Sequence, residues 1–436
     1  MSNCLLFLKF NVIKMIWSLY NYLFNSQENY YLYNSYTNNL IQFDSEFNEV
    51  LLYCKHHEFE KVSTDILDTL QKEKILVDSD DDIYNNIKLK RTISRFNSHI
   101  LALTIAPTTA CNFRCIYCYE TGIECKTITK STDIVEDIVK FTKSFPCIEH
   151  LFVTWYGGEP LLKFDFIESL SIRFKKEFAQ YSANMITNGY LLSEDIILKL
   201  KNLHINMLQI TIDGMEATHN KRRPHAFNSD SFQIIIKNID CLFRLYPEVG
   251  VALRVNVDKS NSGEYHELYK FLSERYNNCK INIHPGWVTD EFSIEQNCDC
   301  LTALERTSFL IEQYVLYNIP VKLFPSSEYG ECSARHINSF VIGPEGELYK
   351  CWNDIGKLDK NVGSITDFSI FNSTCTNYLL GNDPLTSDRC KKCFCFPICN
   401  GGCPYSRINN TKNFEEYFCN TRENMIKDMI FKYATK

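Results

Sequence analysis

Cys111, Cys115 and Cys118 stand in the run TACNFRCIYCYE, directly after the apolar run Ile100–Ile105. One short loop at the end of an expected strand therefore offers three thiolates. Soft sulfur donors at this density suit iron–sulfur clusters or zinc. Three ligands matter more than four would, because a four-iron cluster held this way keeps one iron open to a small molecule. Zinc is the alternative for this loop alone, but no fourth ligand stands nearby in the sequence. A second set lies towards the C-terminus. Cys332 precedes Cys351, with Gly343-Pro-Glu-Gly346 reading as a hairpin turn between Phe340-Val-Ile and Leu348-Tyr. Then come Cys390, Cys393, Cys399 and Cys403, and finally Cys419. Zinc knuckles are the alternative here too, since cysteine spacing does not name the metal.

Weaker candidates lie between the two sets. In Tyr156-Gly-Gly-Glu-Pro160, Gly157 and Gly158 let backbone approach a ligand, and Glu159 can accept hydrogen bonds from an ammonium group. Alone, this run also reads as an ordinary β-turn. Asn188 sits in Ile-Thr-Asn-Gly-Tyr, where it either orients a ligand or takes a turn conformation. Thr211 and Asp213 end an expected strand, and Arg254 on the next strand either points to a ligand carboxylate or forms an internal ion pair. The basic stretch His219–His225 reads as a solvated loop, with an acidic or peptide ligand as the sharper alternative. No residue is assigned as catalytic acid or base.

These residues need elements to carry them. From residue 99, apolar strand-like runs alternate with amphipathic helical stretches through His284, six strand–helix repeats in all. That pattern predicts an α/β fold, a partial (β/α)6 barrel of parallel strands with right-handed crossovers. The cysteine loop, the Gly-Gly-Glu run, Asn188 and Asp213 all follow strand C-terminal ends, the face where such barrels carry chemistry. Residues 15–98 read as a separate winged-helix-like module, with three strands, two helices, and the acidic run Asp78–Asp82 as a solvated turn. A plain N-terminal cap on the main domain is the alternative. Residues 99–290 form the barrel, 291–330 a helical connector, and 331–436 a cysteine-rich domain organised by bound metal.

The bulk numbers agree. A chain of 436 residues with 45% hydrophobic and 23% charged residues implies two or three globular domains. A net charge of -7 argues against a nucleic-acid partner. Of the 20 cysteines, ten fall in the two tight patterns, which points to metal in a reducing cytoplasm rather than to secreted disulfides. The apolar run Leu5–Ile13 is too short to span a bilayer and lacks signal-peptide flanks, so no membrane association is expected. Residues 1–14 read as a dispensable extension before Met15.

The order C-x3-C-x2-C, with Tyr117 before the last thiol, resembles the signature loop of radical S-adenosylmethionine (SAM) enzymes. Gly157-Gly158-Glu159, one strand–helix unit later, resembles that family's GGE motif. The later order C-x13-G-x4-C, gap, C-x2-C-x5-C-x3-C, gap, C resembles the seven-cysteine SPASM domain of the same enzymes. The resemblance covers residues 99–436. It implies a [4Fe-4S] cluster on Cys111, Cys115 and Cys118 whose open iron chelates SAM, releasing a 5′-deoxyadenosyl radical on reduction. Tyr117 would meet the adenine, Glu159 and its glycines the amino group, and Asn188, Thr211 and Arg254 other polar groups of SAM. Cys390, Cys393, Cys399 and Cys419 would hold one auxiliary iron–sulfur cluster. Cys332, Cys351 and Cys403 would hold another, its fourth site open or filled by substrate or a residue outside the pattern.

Members with this architecture act on peptides and proteins. The resemblance therefore implies a peptide maturase that modifies or crosslinks a ribosomally made precursor through thioether or carbon–carbon bonds. Its partners would be the precursor's leader and core and an electron donor such as flavodoxin or ferredoxin. The N-terminal module would bind the leader by strand addition. An anaerobic sulfatase-maturating enzyme is the first alternative. Those enzymes carry an Asp directly after the hairpin cysteine, where this chain has Trp352, with Asp354 two residues late. A zinc-bound, non-catalytic peptide-interaction protein is the alternative from another class.

Overall fold

The computed structural model describes residues 15–128, 131–228, 230–289, 299–327, 330–367, 372–409 and 414–436. The expected N-terminal extension, residues 1–14, lies outside the described residues.

Aromatic and β-branched runs at the N-terminus form β1 (Ile16–Trp17), β2 (Asn21–Ser26), β3 (Asn29–Asn34) and β4 (Asn39–Phe43). Strands β2, β3 and β4 make an antiparallel three-stranded sheet. Helix α1 (Ser45–Lys55) follows, capped by the Asp44 side chain on Phe47 N–H at 2.8 Å. Helix α2 (Thr64–Lys72) and β5 (Leu76–Val77), which pairs with β1, complete a small core around Leu32, Leu51, Leu67 and Leu76.

The acidic run is not a turn. Asp80, Asp81 and Asp82 form the first turn of α3 (Asp80–Arg95), capped by Ser79. Carboxylates at that end are favoured by the helix dipole, which outweighs their mutual repulsion. Ile83, Ile87, Arg91 and Arg95 then recur on one buried face. Arg91 donates to the Phe396 carbonyl at 2.8 Å. Arg95 is 2% exposed and pairs with Glu331 and Asp383, both at 2.6 Å. Thus α3 fastens the N-terminal module to the cysteine-rich region.

The main sheet follows the expected alternation. It comprises β6 (Ile100–Ile105), α4 (Ser131–Lys143), β7 (His150–Trp155), α5 (Phe164–Glu177) and β8 (Gln180–Thr187). The series continues through α6 (Glu194–Leu200), β9 (Ile205–Thr211), α7 (Glu216–Arg222), α8 (Ser231–Leu245), β10 (Gly250–Val257), α9 (Tyr265–Arg275) and β11 (Ile281–Trp287). Strands β6 to β11 are parallel and neighbour one another in chain order. Each strand turns alternate residues, such as Leu101, Val153, Met185, Ile210 and Val255, into the helix-covered core. The opposite face carries in-register rows such as Thr104–Thr154–Asn184 and Thr211–Arg254–His284. A polar concave face is what an open, ligand-binding barrel needs and a packed core does not.

Beyond the barrel, α10 (Ala303–Val315) is the one helix among the described residues of the connector; 316–327 runs without helix. The expected hairpin is β12 (Ser339–Ile342) and β13 (Glu347–Tyr349). Strand β12 also pairs parallel to β6, and β14 (Gly363–Ser364) pairs with β13, so the hairpin extends the barrel sheet to nine strands. Short helices α11 (Ser373–Leu380), α12 (Asp388–Lys391) and α13 (Pro404–Ile408) follow; of the late cysteines, Cys390 lies in α12 and Cys403 immediately precedes α13. Helix α14 (Asn420–Ala434) then packs against α10.

Candidate cluster and cofactor site

The three-cysteine loop leaves the C-terminal end of β6 and is closed at its base. Thr109 N–H donates to the Lys126 carbonyl at 2.9 Å, Ile128 N–H to Pro107 at 3.1 Å, and the Thr108 hydroxyl meets Thr127 at 2.6 Å. The loop lies on the backbone of Gly157 and Gly158. Gly158 N–H donates to the Thr108 carbonyl at 3.0 Å and Glu159 N–H to Ala110 at 2.9 Å. A Cβ on Gly158 would stand 2.3 Å from the Ala110 carbonyl oxygen, and Gly157 has φ +116°. What these glycines approach is therefore the cysteine loop itself. We predict that Gly158→Ala costs about 1–3 kcal/mol of stability and strips the loop's metal. Gly263→Ala, with nothing within 4 Å of its Cβ, changes neither; iron analysis and thermal melts of both variants check this.

Glu159 is fully buried. Its oxygens accept from Leu161 N–H at 3.0 Å, the Thr187 hydroxyl at 2.7 Å and Asn188 N–H at 2.8 Å. Burial pushes its carboxyl up against the pull of those donors. It thereby ties the end of β7 to the end of β8. Asn188 is brought to the same place: its amide donates to the Asn112 side chain at 2.8 Å and lies 4.0 Å from Cys111 Sγ.

On the other side of the loop, the stretch expected as a solvated loop is α7 and the turn after it. His219, Arg222 and Arg223 are buried; the two arginines have partners that offset their desolvation, whereas burial holds the His219 imidazole neutral, its pKa pushed well down. Arg222 pairs with Asp258 at 2.8 Å, and its guanidinium lies 5.2 Å from the Tyr117 ring centroid. Arg223 donates to the Tyr117 hydroxyl at 2.7 Å. Tyr117 also donates to Asp213 and accepts from the Asn256 amide at 3.0 Å. Asp213 is fully buried and accepts from Asn256 N–H at 3.0 Å. The Tyr117 hydroxyl is thus fixed by three groups, which leaves its ring as the part able to flank a ligand. Arg254 spends Nε on Asn256 Oδ1 at 2.7 Å, over Gly286, where a side chain would collide with it. Its remaining nitrogens take part in no ion pair among the described residues and share the polar face with Thr211.

Burial pushes the Cys111 thiol up to about 12 and Cys118 up to about 11. Cys115 rises by burial too, with Arg223 pulling it down. Three half-buried thiolates need positive charge beside them, and one arginine supplies only part of it. Three thiols on one short loop, beside a buried arginine, are a donor set that fits an iron–sulfur cluster.

The late cysteines separate into two groups. Cys390, Cys393, Cys399 and Cys419 line one cavity of about 170 Å³, together with Cys395, Arg389, Arg407 and Arg422. Cys332, Cys351 and Cys403 influence one another electrostatically elsewhere. Beside them, Lys350 is buried and donates to the His336 and Ser339 carbonyls at 2.6 Å, its ammonium pushed down to about 8 by burial. The two halves of the molecule meet at aromatic side chains. The Tyr119 and Tyr156 hydroxyls are hydrogen-bonded, and Tyr156 stacks on Trp352 at 5.5 Å between centroids. Sequence reasoning placed Arg222 and Arg223 in a solvated loop and noted Trp352 only as the residue after Cys351. The available signal was two adjacent arginines shortly after a strand-ending Asp.

The radical SAM superfamily model matches residues 105–272. A cysteine-type anaerobic sulfatase-maturating enzyme of Clostridium novyi (strain NT) is 28% identical over 374 residues, covering 76% of this chain and 96% of the relative. One from Clostridium perfringens (strain 13 / Type A) is 23% identical over 372 residues, covering 77% and 96%. Among solved structures, native anSMEcpe with bound AdoMet and Kp18Cys peptide superposes with a TM-score of 0.56 at 21% identity, covering 76% of this chain and 99% of that one. Streptococcus suis SuiB bound to precursor peptide SuiA gives 0.51 at 17%, covering 89% and 95%.

Proposed function

We propose that the chain is a radical SAM enzyme of the SPASM-bearing type that oxidatively modifies or crosslinks a ribosomally made precursor peptide. When bound, the cluster and SAM supply a carbon radical that takes hydrogen from substrate. The chain's own residues do the positioning. Glu159 and its glycines set the cysteine loop, Asp213 and the two buried arginines fix Tyr117, and Arg254 offers unspent donors to a carboxylate. Cys332, Cys351 and Cys403, next to Trp352, would face the substrate. A reduced electron carrier, flavodoxin or ferredoxin in the cytoplasm, would start each turnover.

The observation that supports a peptide substrate is the N-terminal module, with its small sheet and three helices. The sulfatase-maturase relatives match 76–77% of the chain, whereas the SuiB likeness extends over 89%. A leader adding a strand to the β2–β4 sheet would be held by main-chain hydrogen bonds. We expect a full-length precursor to slow amide hydrogen exchange across residues 21–43, and the core peptide alone to leave it unchanged. Equal exchange with and without precursor contradicts the leader-binding role. Product analysis tests the reaction: a crosslinked precursor is lighter by two hydrogens per bond.

A second reading is favoured by the curated relatives themselves, which are sulfatase-maturating enzymes. Under it, a cysteine-containing sulfatase peptide is oxidised in the same assay and the precursor is returned unchanged. In this chain Trp352 follows Cys351, and Asp354 is fully buried with Oδ2 accepting from Tyr378 at 2.6 Å.

A further inference from the structure

Both chain neighbours of Cys115 face solvent. Arg114 is exposed and Ile116 is 66% exposed, so the middle thiol of the first loop lies just beneath the surface. A second segment lies beside the loop there. Arg114 N–H donates to the Pro224 carbonyl at 2.8 Å, Ile116 N–H to Arg222 at 3.1 Å, and Ala226 N–H to Asn112 at 2.8 Å. Residues 112–116 and 222–226 therefore run side by side in opposite directions. That pairing sets Lys221 beyond the Ile116 end of the ribbon and Phe227 beyond the Asn112 end. Lys221 is exposed, and Phe227 is 94% exposed.

The ribbon is firmly supported. Phe113 is buried, and its ring meets Tyr190 and His225 edge-on at 5.7 and 5.6 Å between centroids, while Tyr190 and His225 stack at 4.2 Å. Arg114 Nη1 donates to the Cys111 and Phe113 carbonyls at 2.7 and 2.8 Å. The charge is one-sided as well. Residues 111–119 and 217–228 contain Arg114, Lys221, Arg222 and Arg223 and no carboxylate, in a chain of net charge -7. Large apolar side chains this exposed, bordered by cations, mark an interaction surface. Its complement is a protein with acidic side chains around an apolar centre.

We propose that this face docks a flavodoxin-type electron carrier, its acidic surface against Arg114 and Lys221 and its exposed flavin edge against Ile116 and Phe227. Electron transfer falls steeply with distance, and here the residues on either side of Cys115 are themselves the surface. Redox encounters bury little area, so a patch of this size suffices. One electron passes from the reduced flavin to the cluster, and no covalent bond changes. The proposal rests on the first loop being the SAM-cleaving site, and its test separates the two.

The anaerobically reconstituted full chain is titrated calorimetrically with oxidised flavodoxin. In parallel, deoxyadenosine formation is driven by reduced flavodoxin or by dithionite. Lys221→Glu is expected to weaken flavodoxin binding about tenfold, and Phe227→Ala about fivefold. Both slow the reaction driven by subsaturating flavodoxin and leave the dithionite reaction unchanged. Lys392→Glu, at the rim of the late-cysteine cavity, leaves flavodoxin binding unchanged. Weaker binding in Lys392→Glu with none lost in Lys221→Glu would place the carrier at the late cysteines and overturn the proposal. Binding indifferent to both Lys221→Glu and Phe227→Ala overturns it too. A changed sedimentation coefficient in Lys221→Glu would assign the face to a second copy of the chain, with the same consequence. Where Lys221→Glu also slows the dithionite reaction, Phe227→Ala decides. Wild type unable to cleave SAM with dithionite sinks the reading of the loop rather than the docking surface, which the titration tests by itself.

Discussion

Cys115→Ala abolishes 5′-deoxyadenosine formation from SAM while the late cysteines keep their iron. The expectation follows from the loop's arithmetic: three thiolates leave one iron open, and with two the cluster has no secure hold. Cys115 also faces Arg223, which couples it to the Tyr117–Asp213 network. Its loss therefore removes a ligand from the most constrained part of the loop. The measurement is chromatographic quantification of deoxyadenosine under reductant, alongside iron per chain, which should fall by about a third. A variant that still cleaves SAM at the wild-type rate would show that this loop is not the site.

The largest stability effect is expected at Arg95, far from that chemistry. Its guanidinium meets Glu331 through Nε and Nη2 at 2.6 and 2.7 Å, and Asp383 through Nη1 and Nη2 at 2.6 and 3.0 Å. Arg95→Ala leaves two buried carboxylates with only the nearby Arg335 to offset them. Removing one partner of a buried pair costs about 3–5 kcal/mol. Because Arg95 ends α3, the loss also releases the N-terminal module from the cysteine-rich region. Denaturant unfolding gives the stability, and hydrogen exchange along 80–95 reads the release. Arg95→Lys keeps the charge and loses the forked geometry, so it falls between the two. An alanine variant as stable as wild type would mean that this network contributes nothing to holding the halves together.

The barrel strands were readable because each alternates a helix-facing apolar residue with a polar one, as in Leu253-Arg254-Val255-Asn256. The cysteine sets were readable because ligand spacing survives in sequence whatever the fold around it. Helix α3 was missed since three consecutive aspartates read as a turn when the helix dipole is left out. The pairing of β12 with β6 joins residues more than 230 positions apart, and no local pattern reports such a contact. Arg222 and Arg223 read as solvated because burial of a cation depends on partners, here Asp258, Asp213 and Tyr117, that only the folded chain brings to them.

The account's central claim is that the first cysteine loop holds a cluster with one iron free to take SAM. EPR of the dithionite-reduced, anaerobically purified protein, recorded before and after SAM is added, tests it most directly. The account predicts a reduced-cluster signal that shifts when SAM binds and that Cys115→Ala no longer displays. A colourless protein carrying stoichiometric zinc, or a cluster spectrum indifferent to SAM, contradicts it.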